Sequence, residues 1–185
     1  MNAYDFDKTI YKNDSSTDFL IFCTLRHPKA LSRVPSIIAG YVKSFILKKG
    51  RKEDFKEKAF SVVKYCNIKK DVADFWQKNK KKIKAFYLAQ KKSDDVIISA
   101  SPRFLLDPIC KDLGLKSLIC TEVDPKSGKF LSLNCWGEEK VVRFRKEFKN
   151  TKVAEFYSDS LSDTPMAKIA NTAFLVKGEK LLPWK

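Results

Sequence analysis

The chain of 185 residues carries 37 Lys and Arg against 22 Asp and Glu, a net charge of +15, and 44% of its residues are apolar. A chain of this length can bury one α/β core with a smaller helical addition, and no apolar run reaches the roughly 18 residues needed to cross a bilayer. The positive charge is concentrated, because residues 12–95 carry a net +12 and the remainder only +3.

The cysteines and the only histidine argue against several kinds of site. Five scattered cysteines without Cys-x-x-Cys spacing favour reduced, buried thiols over a disulfide framework or a zinc site. His27 is the single histidine, which argues against most metallohydrolase and Ser-His-Asp chemistries. We expect it on the surface, before Pro28 at a helix start.

The first half of the chain reads as one short strand followed by helices. The strand is Ala3-Tyr4, and Ser15 and Ser16 are helix-capping residues ahead of an apolar run. Further helical segments are predicted over residues 28–47, closed by Gly50, and over 53–65 and 70–91.

Strands and helices alternate from residue 96 onward. Strands are predicted over 96–99, 117–120, 153–157 and 172–176, and helices over 103–113, 138–148 and 165–170. Residues 121–135 carry turn signals and predict a β-hairpin excursion. Repeated βα units predict an α/β fold with a doubly wound, mostly parallel sheet and helices on both faces.

Four carboxylates follow two of the predicted strands. Asp5 and Asp7 come directly after the first strand, and Asp159 and Asp163 follow the strand over 153–157. Ligands in open α/β sheets bind outside the carboxyl ends of the strands, so we expect these acids to meet. Clustered carboxylates repel one another unless a cation lies between them. Oxygen ligands without a nearby His or Cys favour Mg²⁺ as that cation.

Four segments in order resemble the signatures of the haloacid dehalogenase (HAD) superfamily of phosphohydrolases. They are Asp5-x-Asp7-x-Thr9, the apolar strand that ends at Ser99, Lys140, and Asp159-x-x-x-Asp163. The helical insertion between the first strand and the second signature is similar to that of the phosphoserine-phosphatase-like branch. The resemblance implies a HAD-like core of residues 1–11 and 93–185, with residues 12–92 as a helical cap.

The resemblance also implies roles for the acids. Asp5 is the expected nucleophile and forms an aspartyl-phosphate, while Asp7 is the expected general acid and base. The expected Mg²⁺ ligands are the carboxylates of Asp5, Asp159 and Asp163 together with the backbone carbonyl of Asp7.

The phosphate-binding residues implied by the resemblance are Thr9, Ser99 and Lys140. Ser101 competes with Ser99, because it lies two residues further along the chain. Lys140 has an alternative interpretation as one more solvated lysine on a basic helix. Lys8 departs from the family pattern, since a glycine is usual at its position.

A narrower resemblance concerns the substrate. Residues 134–141, the segment 157–165 and the apolar run that ends in basic residues 48–51 are similar to HAD-type phosphatidylglycerophosphate phosphatases. This favours a phospholipid head group as substrate, with phosphoserine or another small phosphorylated metabolite as the alternative. The basic cap could associate peripherally with an anionic membrane, or its apolar residues could form its own core beneath solvated lysines.

Two further classes of function are less consistent with the sequence. An isoelectric point near 9.6 and Lys-rich helices suggest nucleic-acid binding, but no segment resembles a groove-reading or base-stacking module. A catalytically silent scaffold would not need the acids, all of which are present. Met1 is followed directly by the acidic motif, without a secretory pattern, so we expect a cytoplasmic enzyme that could associate with the inner face of the membrane.

Overall fold

The computed structural model describes residues 1–49 and 52–184. The helix end predicted at Gly50, together with Arg51, therefore lies outside the described residues. Within them, no helix combines the length and the apolar character that crossing a bilayer requires.

A six-stranded sheet forms the centre of the fold, with the strand order β3-β2-β1-β4-β5-β6. Strands β1 to β5 pair with one another in parallel, and β6 pairs with β5 in the antiparallel direction. The predicted α/β fold with a mostly parallel sheet is confirmed. The strands are β1 (Ala3–Tyr4), β2 (Val96–Pro102), β3 (Ser117–Thr121), β4 (Val153–Ser158), β5 (Ala170–Lys177) and β6 (Lys180–Pro183).

Apolar residues on both faces of the central strands bury the sheet between two layers. Neighbouring residues of one strand point to opposite faces, so Tyr4 and Tyr157 belong to one apolar cluster while Ala3 and Phe156 belong to the other. Tyr4 stacks on Tyr157 with ring centroids 4.6 Å apart. Burial on both faces explains why the strands read as continuous apolar runs instead of alternating ones.

Helices pack on both faces. The face of Ala3 is covered by α7 (Glu138–Phe148) and α8 (Thr164–Lys168), whereas α6 (Arg103–Asp112) contributes to the cluster on the face of Tyr4. The remaining helices lie between β1 and β2 in the chain. They are α1 (Ser15–Arg26), α2 (Val34–Tyr41), α3 (Lys52–Phe60), α4 (Ile68–Asn79) and α5 (Ala85–Gln90).

The helical region between β1 and β2 shares its core with the sheet. Phe19 and Trp76 belong to the same apolar cluster as Tyr4, and the Trp76 indole N–H donates to the Leu105 carbonyl at 2.7 Å. Some of the apolar residues of this region are thus core residues, but they belong to a core shared with the sheet and not to a separate core of the region, as one interpretation of the sequence expected.

Two predicted helices are interrupted. The prediction of one continuous helix over 70–91 was wrong, because the segment breaks at the 3-10 turn Lys80–Lys82. Ile83 is extended there and forms a β-bridge with Tyr11, while the Lys84 N–H donates to the Ile10 carbonyl at 2.8 Å. The segment over 28–47 also changes pitch, from the 3-10 helix Pro28–Arg33 through α2 to the π-helix Val42–Ile46.

The C-terminal half differs from the prediction in two places. The excursion predicted as a hairpin over 121–135 does turn back on itself, with the Asp124 N–H bonded to the Lys129 carbonyl and the Leu131 N–H bonded to the Glu122 carbonyl, but its ladder is limited to one isolated bridge between Val123 and Phe130. It packs against α3, where the Phe130 N–H is bonded to Glu57. Strand β6 was not predicted at all. It follows a turn at Gly178 with φ of 62°.

Four of the five cysteines are buried, as predicted, and Cys66 is partly buried. The prediction for His27 was incomplete, since its side chain is only 26% exposed and Nε2 lies 2.7 Å from Oδ2 of the buried Asp71.

Candidate active site

The predicted site residues meet at the carboxyl edge of the three central strands. Strand β1 lies between β2 and β4, so Asp5 after β1, Ser101 within the end of β2 and Asp159 after β4 arrive at one place. The strand order reverses at β1, because the chain runs outward through β2 and β3 and then returns to β4 on the other side of β1, and this is the position where open α/β sheets bind ligands.

Lys140 connects two of the acids. Its Nζ lies 2.7 Å from Oδ1 of Asp5 and 2.7 Å from Oδ2 of Asp163, and its side chain is 2% exposed. The alternative of a solvated helical lysine is excluded by this burial. Helix α7 places the residue here because Lys140 lies one turn before the buried Phe144 on the same face.

Burial and crowding raise the pKa of Asp5 to about 7. Desolvation is the largest cause, the Lys140 ammonium opposes it, and the charges of Asp163 and Asp7 add to it. Burial alone would lower the pKa of Lys140, but its two carboxylate partners outweigh that effect and raise it. One ammonium therefore does not neutralise the acids around it.

Asp7 is held from two sides. Its Oδ1 accepts a hydrogen bond from the Ser15 N–H at 2.6 Å, a donor in the first turn of α1 that has no partner within the helix. Its Oδ2 accepts from the Ser101 hydroxyl at 2.6 Å, and that hydroxyl lies 2.7 Å from Ser16 Oγ. Burial, followed by the charge of Asp14, raises the pKa of Asp7 to about 6, near the range suited to proton transfer at neutral pH.

Hydroxyl groups fix the other acids. Thr9 donates to Asp5 Oδ2 at 3.2 Å and accepts from the Asp159 N–H at 2.9 Å, so it connects the loop after β1 with the loop after β4. Ser158 donates to Asp163 Oδ2 at 2.7 Å. Burial raises the pKa of Asp159.

The donor set fits a hard divalent cation. Oδ1 of the buried Asp163 has no hydrogen-bond partner among the described residues, and a buried carboxylate oxygen without a partner is costly. The candidate metal-ligating atoms are all oxygens, and burial raises the pKa values of Asp5 and Asp159, a cost of ionisation that a bound cation would offset. Mg²⁺ is the ion that such a set favours.

A polar cavity of about 200 Å³ opens onto these acids. Two of its lining residues, Asp14 and Lys56, were missed by the sequence analysis, and Trp136 was noted only as part of the segment 134–141. Asp14 could have been noticed as the helix-capping residue of α1. No local pattern distinguishes Lys56 from its many basic neighbours.

A second, apolar cavity of about 500 Å³ adjoins the site. Its wall includes Asp7, Ala100 and Ser101, which also lie at the edge of the active site. The rest of its lining comes from the helical region. These residues include Leu20, Ile21, Leu25, Val34, Ile37 and Phe55.

The two serines of β2 differ in their surroundings. Ser101 contacts Asp7 directly. Ser99 is fully buried and its Oγ accepts from the Ser101 N–H at 3.1 Å, so it holds the end of the strand. Which of the two contacts a phosphoryl group stays a prediction.

Lys8 adopts the backbone conformation that explains the usual glycine at its position. Its φ is 58°, a left-handed value that glycine adopts without steric cost. The ammonium group of the buried Lys84 donates to the Lys8 carbonyl oxygen, which offers a fixed partner to a turn that is strained for a lysine.

Comparison with known proteins identifies the type of fold. The model of the haloacid dehalogenase-like hydrolase family matches residues 3–168, and no curated protein matches the chain. A protein of unknown function from Bordetella pertussis Tohama I has a similar structure, with a TM-score of 0.73, 18% identity and coverage of 95% of this chain and 88% of the other.

Two further solved structures are similar. A phosphoserine phosphohydrolase-like protein from Francisella tularensis subsp. tularensis SCHU S4 has a TM-score of 0.60 and 15% identity, over 95% of this chain and 87% of the other. A phosphoserine phosphatase described as a phospho-aspartyl intermediate analogue has a TM-score of 0.53 and 18% identity, over 94% and 84%. At these identities the likeness shows the fold alone.

Proposed function

Because the chain belongs to the family of haloacid dehalogenase-like hydrolases, we propose that it is a Mg²⁺-dependent phosphomonoester hydrolase that forms an aspartyl-phosphate on Asp5. The observation that carries the proposal is the buried Lys140 ammonium, held 2.7 Å from both Asp5 and Asp163 at the carboxyl edge of β1. A buried cation beside a carboxylate nucleophile is suited to an anionic substrate whose negative charge must be neutralised.

Each residue has a defined part in the reaction. The Asp5 carboxylate attacks phosphorus, the bond from phosphorus to the leaving oxygen breaks, and Asp7 gives that oxygen its proton. Asp7 then takes a proton from water as the water oxygen attacks the phosphoryl group on Asp5, the bond from phosphorus to the Asp5 oxygen breaks, and inorganic phosphate leaves with the Asp5 carboxylate restored. The hydrogen bonds from Ser15 and Ser101 orient Asp7 for both transfers.

Asp5, Asp159 and Asp163 would hold Mg²⁺, with the backbone carbonyl of Asp7 as a further ligand. When bound, the ion would neutralise negative charge on the transferring phosphoryl group. Lys140 supplies a second positive charge, while Thr9 keeps Asp5 and the loop of Asp159 together.

The test of the reaction uses an aryl phosphate. Turnover should require Mg²⁺ or a close substitute, and Asp5→Asn should lose it, because an amide neither attacks phosphorus nor binds the metal as an anion. Asp7→Asn should still bind Mg²⁺ but lose about 10²- to 10⁴-fold in turnover, the usual contribution of a general acid or base. Undiminished turnover in Asp5→Asn would contradict the proposal.

The favoured substrate is a phosphomonoester with an apolar portion, such as a phospholipid head group. Its support is the 500 Å³ apolar cavity beside Asp7 and Ser101. Residues 12–92 then act as a cap over the site, since Leu20, Ile37 and Phe55 supply the apolar wall and Lys56 lines both cavities.

A small polar metabolite such as phosphoserine is the alternative. It would fill the polar cavity of about 200 Å³ and leave the apolar one without a partner. A series of alkyl phosphates from ethyl to octyl separates the two classes, because each buried methylene contributes roughly 0.8 kcal/mol, or about fourfold in kcat/KM.

We expect kcat/KM to rise at least about tenfold along this series and to exceed that for phosphoserine. Thr24→Trp, which fills the apolar cavity, should abolish the rise and leave aryl phosphate turnover unchanged. Leu88→Trp is the matched control, because Leu88 is exposed and does not line this cavity. A flat series with phosphoserine as the best substrate would favour the small-metabolite alternative.

A further inference from the structure

A second cluster of ligand-type side chains lies in the helical region, apart from the four acids. The sulfur atoms of Cys23 and Cys66 and a carboxylate oxygen of Asp71 all lie within 4.8 Å of one another. They come from the last turns of α1, from the residue that follows the 3-10 helix Ser61–Tyr65, and from the first turn of α4. Their spacing in the chain, 43 and 5 residues apart, matches no sequence motif, which is why it went undetected.

The thiols form a pair with unequal acidity. The Cys66 thiol donates to the Val62 carbonyl at 3.6 Å, and the interaction between the two sulfur atoms, which lie within 4.8 Å of each other, raises the pKa of Cys23 and lowers that of Cys66. Cys23 is fully buried and Cys66 is partly exposed. A cation could therefore reach the pair from the side of Cys66, the thiol that more readily becomes a thiolate.

Asp71 is held in place as a carboxylate ligand by two basic neighbours. Its side chain is 1% exposed, and it is paired with Arg26 at 3.1 Å and with His27 at 2.7 Å. Carboxylates that bind metals are commonly held by hydrogen bonds of this kind on their outer side. Arg26 also pairs with Asp74 at 2.5 Å, so its guanidinium is shared between two carboxylates and offsets only part of the negative charge of two thiolates and one carboxylate around a divalent cation.

We propose that Cys23, Cys66 and Asp71 form a site for a thiophilic divalent cation, with Zn²⁺ as the best match. Two sulfur ligands and one oxygen ligand fit the tetrahedral preference of Zn²⁺, and the fourth position is available to water or to a rotated His27. The soft ligands separate this site from the all-oxygen site, which prefers Mg²⁺.

Bound metal would connect α1 to the start of α4. The same helix α1 provides the Ser15 N–H that holds Asp7, so a metal in the cluster would stiffen an element that reaches the active-site edge. The predicted role is structural: the cation stabilises the helical region and takes no part in the reaction.

The test uses the full-length protein, reduced and freed of metal, with Mg²⁺ present to saturate the acidic site. Titration with Co²⁺ should produce thiolate-to-cobalt charge-transfer absorption at one equivalent, and added Zn²⁺ should remove it. Zn²⁺ should also raise Tm by about 5 °C when it is in large excess over Kd. Oxygen ligands give no such absorption, so the acidic site cannot imitate the result.

Cys66→Ala and Asp71→Asn should each lose the absorption and the shift in Tm. Cys110→Ala is the matched control, because this cysteine is buried on α6, and it should keep both. Aryl phosphate turnover in each variant verifies folding. Absence of the absorption in the wild type overturns the proposal, as does its persistence in Cys66→Ala. Rapid formation of a Cys23–Cys66 disulfide under mild peroxide with no cobalt signal would also overturn it, and would identify a redox pair instead.

Discussion

At the scale of single residues, Lys140 is the group on which the acidic site depends. One buried ammonium holds Asp5 and Asp163 together, and two carboxylates near each other without it would repel. Removal of one partner from a buried ion pair leaves an uncompensated charge, which is strongly destabilising.

Lys140→Met should therefore lower the stability of the metal-free protein by about 3 kcal/mol, and added Mg²⁺ should restore part of this. The measurement is urea unfolding with and without the ion. Lys146→Met, on the exposed side of the same helix, is the control and should change stability by less than about 0.5 kcal/mol. Equal effects of the two substitutions would show that the ion pairs do not stabilise the site.

The raised pKa of Asp5 makes a second prediction at this scale. Its folded pKa of about 7 lies above the unfolded value of about 4, so its contribution to stability is complete at low pH and is lost as pH rises from about 4 to about 7. The amide of Asp5→Asn cannot ionise, so its contribution to stability does not change with pH.

In EDTA, the Tm of the wild type should therefore fall relative to that of Asp5→Asn as pH rises from 5 to 8. Asp7 titrates in both proteins, but its repulsion of the ionised Asp5 carboxylate exists only in the wild type and adds to the difference. Saturating Mg²⁺ should remove or reverse the difference, because the ionised carboxylate then has a cation. Parallel Tm curves in EDTA would show that the carboxyl of Asp5 is not under strain from burial.

At the scale of elements, the meeting of the four acids was predictable from local patterns, whereas Thr9, Ser99 and Lys140 were identified only through the family resemblance. Short apolar runs followed by acids identify the carboxyl ends of β1 and β4, and parallel pairing brings those ends together. The break near Ile83 was not predictable, because its cause is a bridge to Tyr11, more than 70 residues away in the chain. The cluster of Cys23, Cys66 and Asp71 likewise depends on how helices pack.

The loop over 121–135 shows how one residue can decide the packing of an element. Gly128 has a φ of 75°, and a Cβ at this position would overlap the carbonyl oxygen of Phe60. The loop therefore contacts the end of α3 closely, and the hydrogen bond from Lys56 to Asn134 at 3.2 Å lies in the same interface.

Gly128→Ala should destabilise the protein by several kcal/mol, since left-handed strain adds to a backbone clash, as judged by urea unfolding. Gly114→Ala is the matched control, because its φ of 76° is almost the same and a Cβ there meets no atom within 4 Å. The control should cost only about 1–2 kcal/mol. Similar losses in both variants would mean that backbone conformation, and not the close contact with Phe60, governs this loop.

At the scale of the whole molecule, charge and exposed apolar surface coincide. Residues 12–95 hold a net +12, and the same region exposes large apolar side chains. They include Ile21, Leu25, Leu31, Ile38, Tyr41, Phe45, Ile46 and Leu47. Ile21 and Leu25 also line the apolar cavity, so this surface is continuous with the proposed binding site for an apolar chain.

A surface with this combination is suited to an anionic bilayer, where each basic residue contributes about 1 kcal/mol of attraction. We therefore predict that the protein co-sediments with vesicles rich in anionic lipid and is released as salt rises, because the attraction is screened over a Debye length of about 8 Å at physiological ionic strength. The exposed Lys43, Lys48 and Lys49 lie within or beside the apolar run of this surface.

Replacement of Lys43, Lys48 and Lys49 by Gln should weaken vesicle binding and lower the turnover of phosphatidylglycerophosphate in vesicles, with no change for an aryl phosphate in solution. The matched control replaces Lys116, Lys126 and Lys129, which are exposed outside residues 12–95, and removes the same charge. If both triple variants lose binding equally, the attraction follows net charge alone. If the wild type ignores anionic vesicles at low salt, membrane association is wrong, and a soluble phosphomonoester becomes the substrate to pursue.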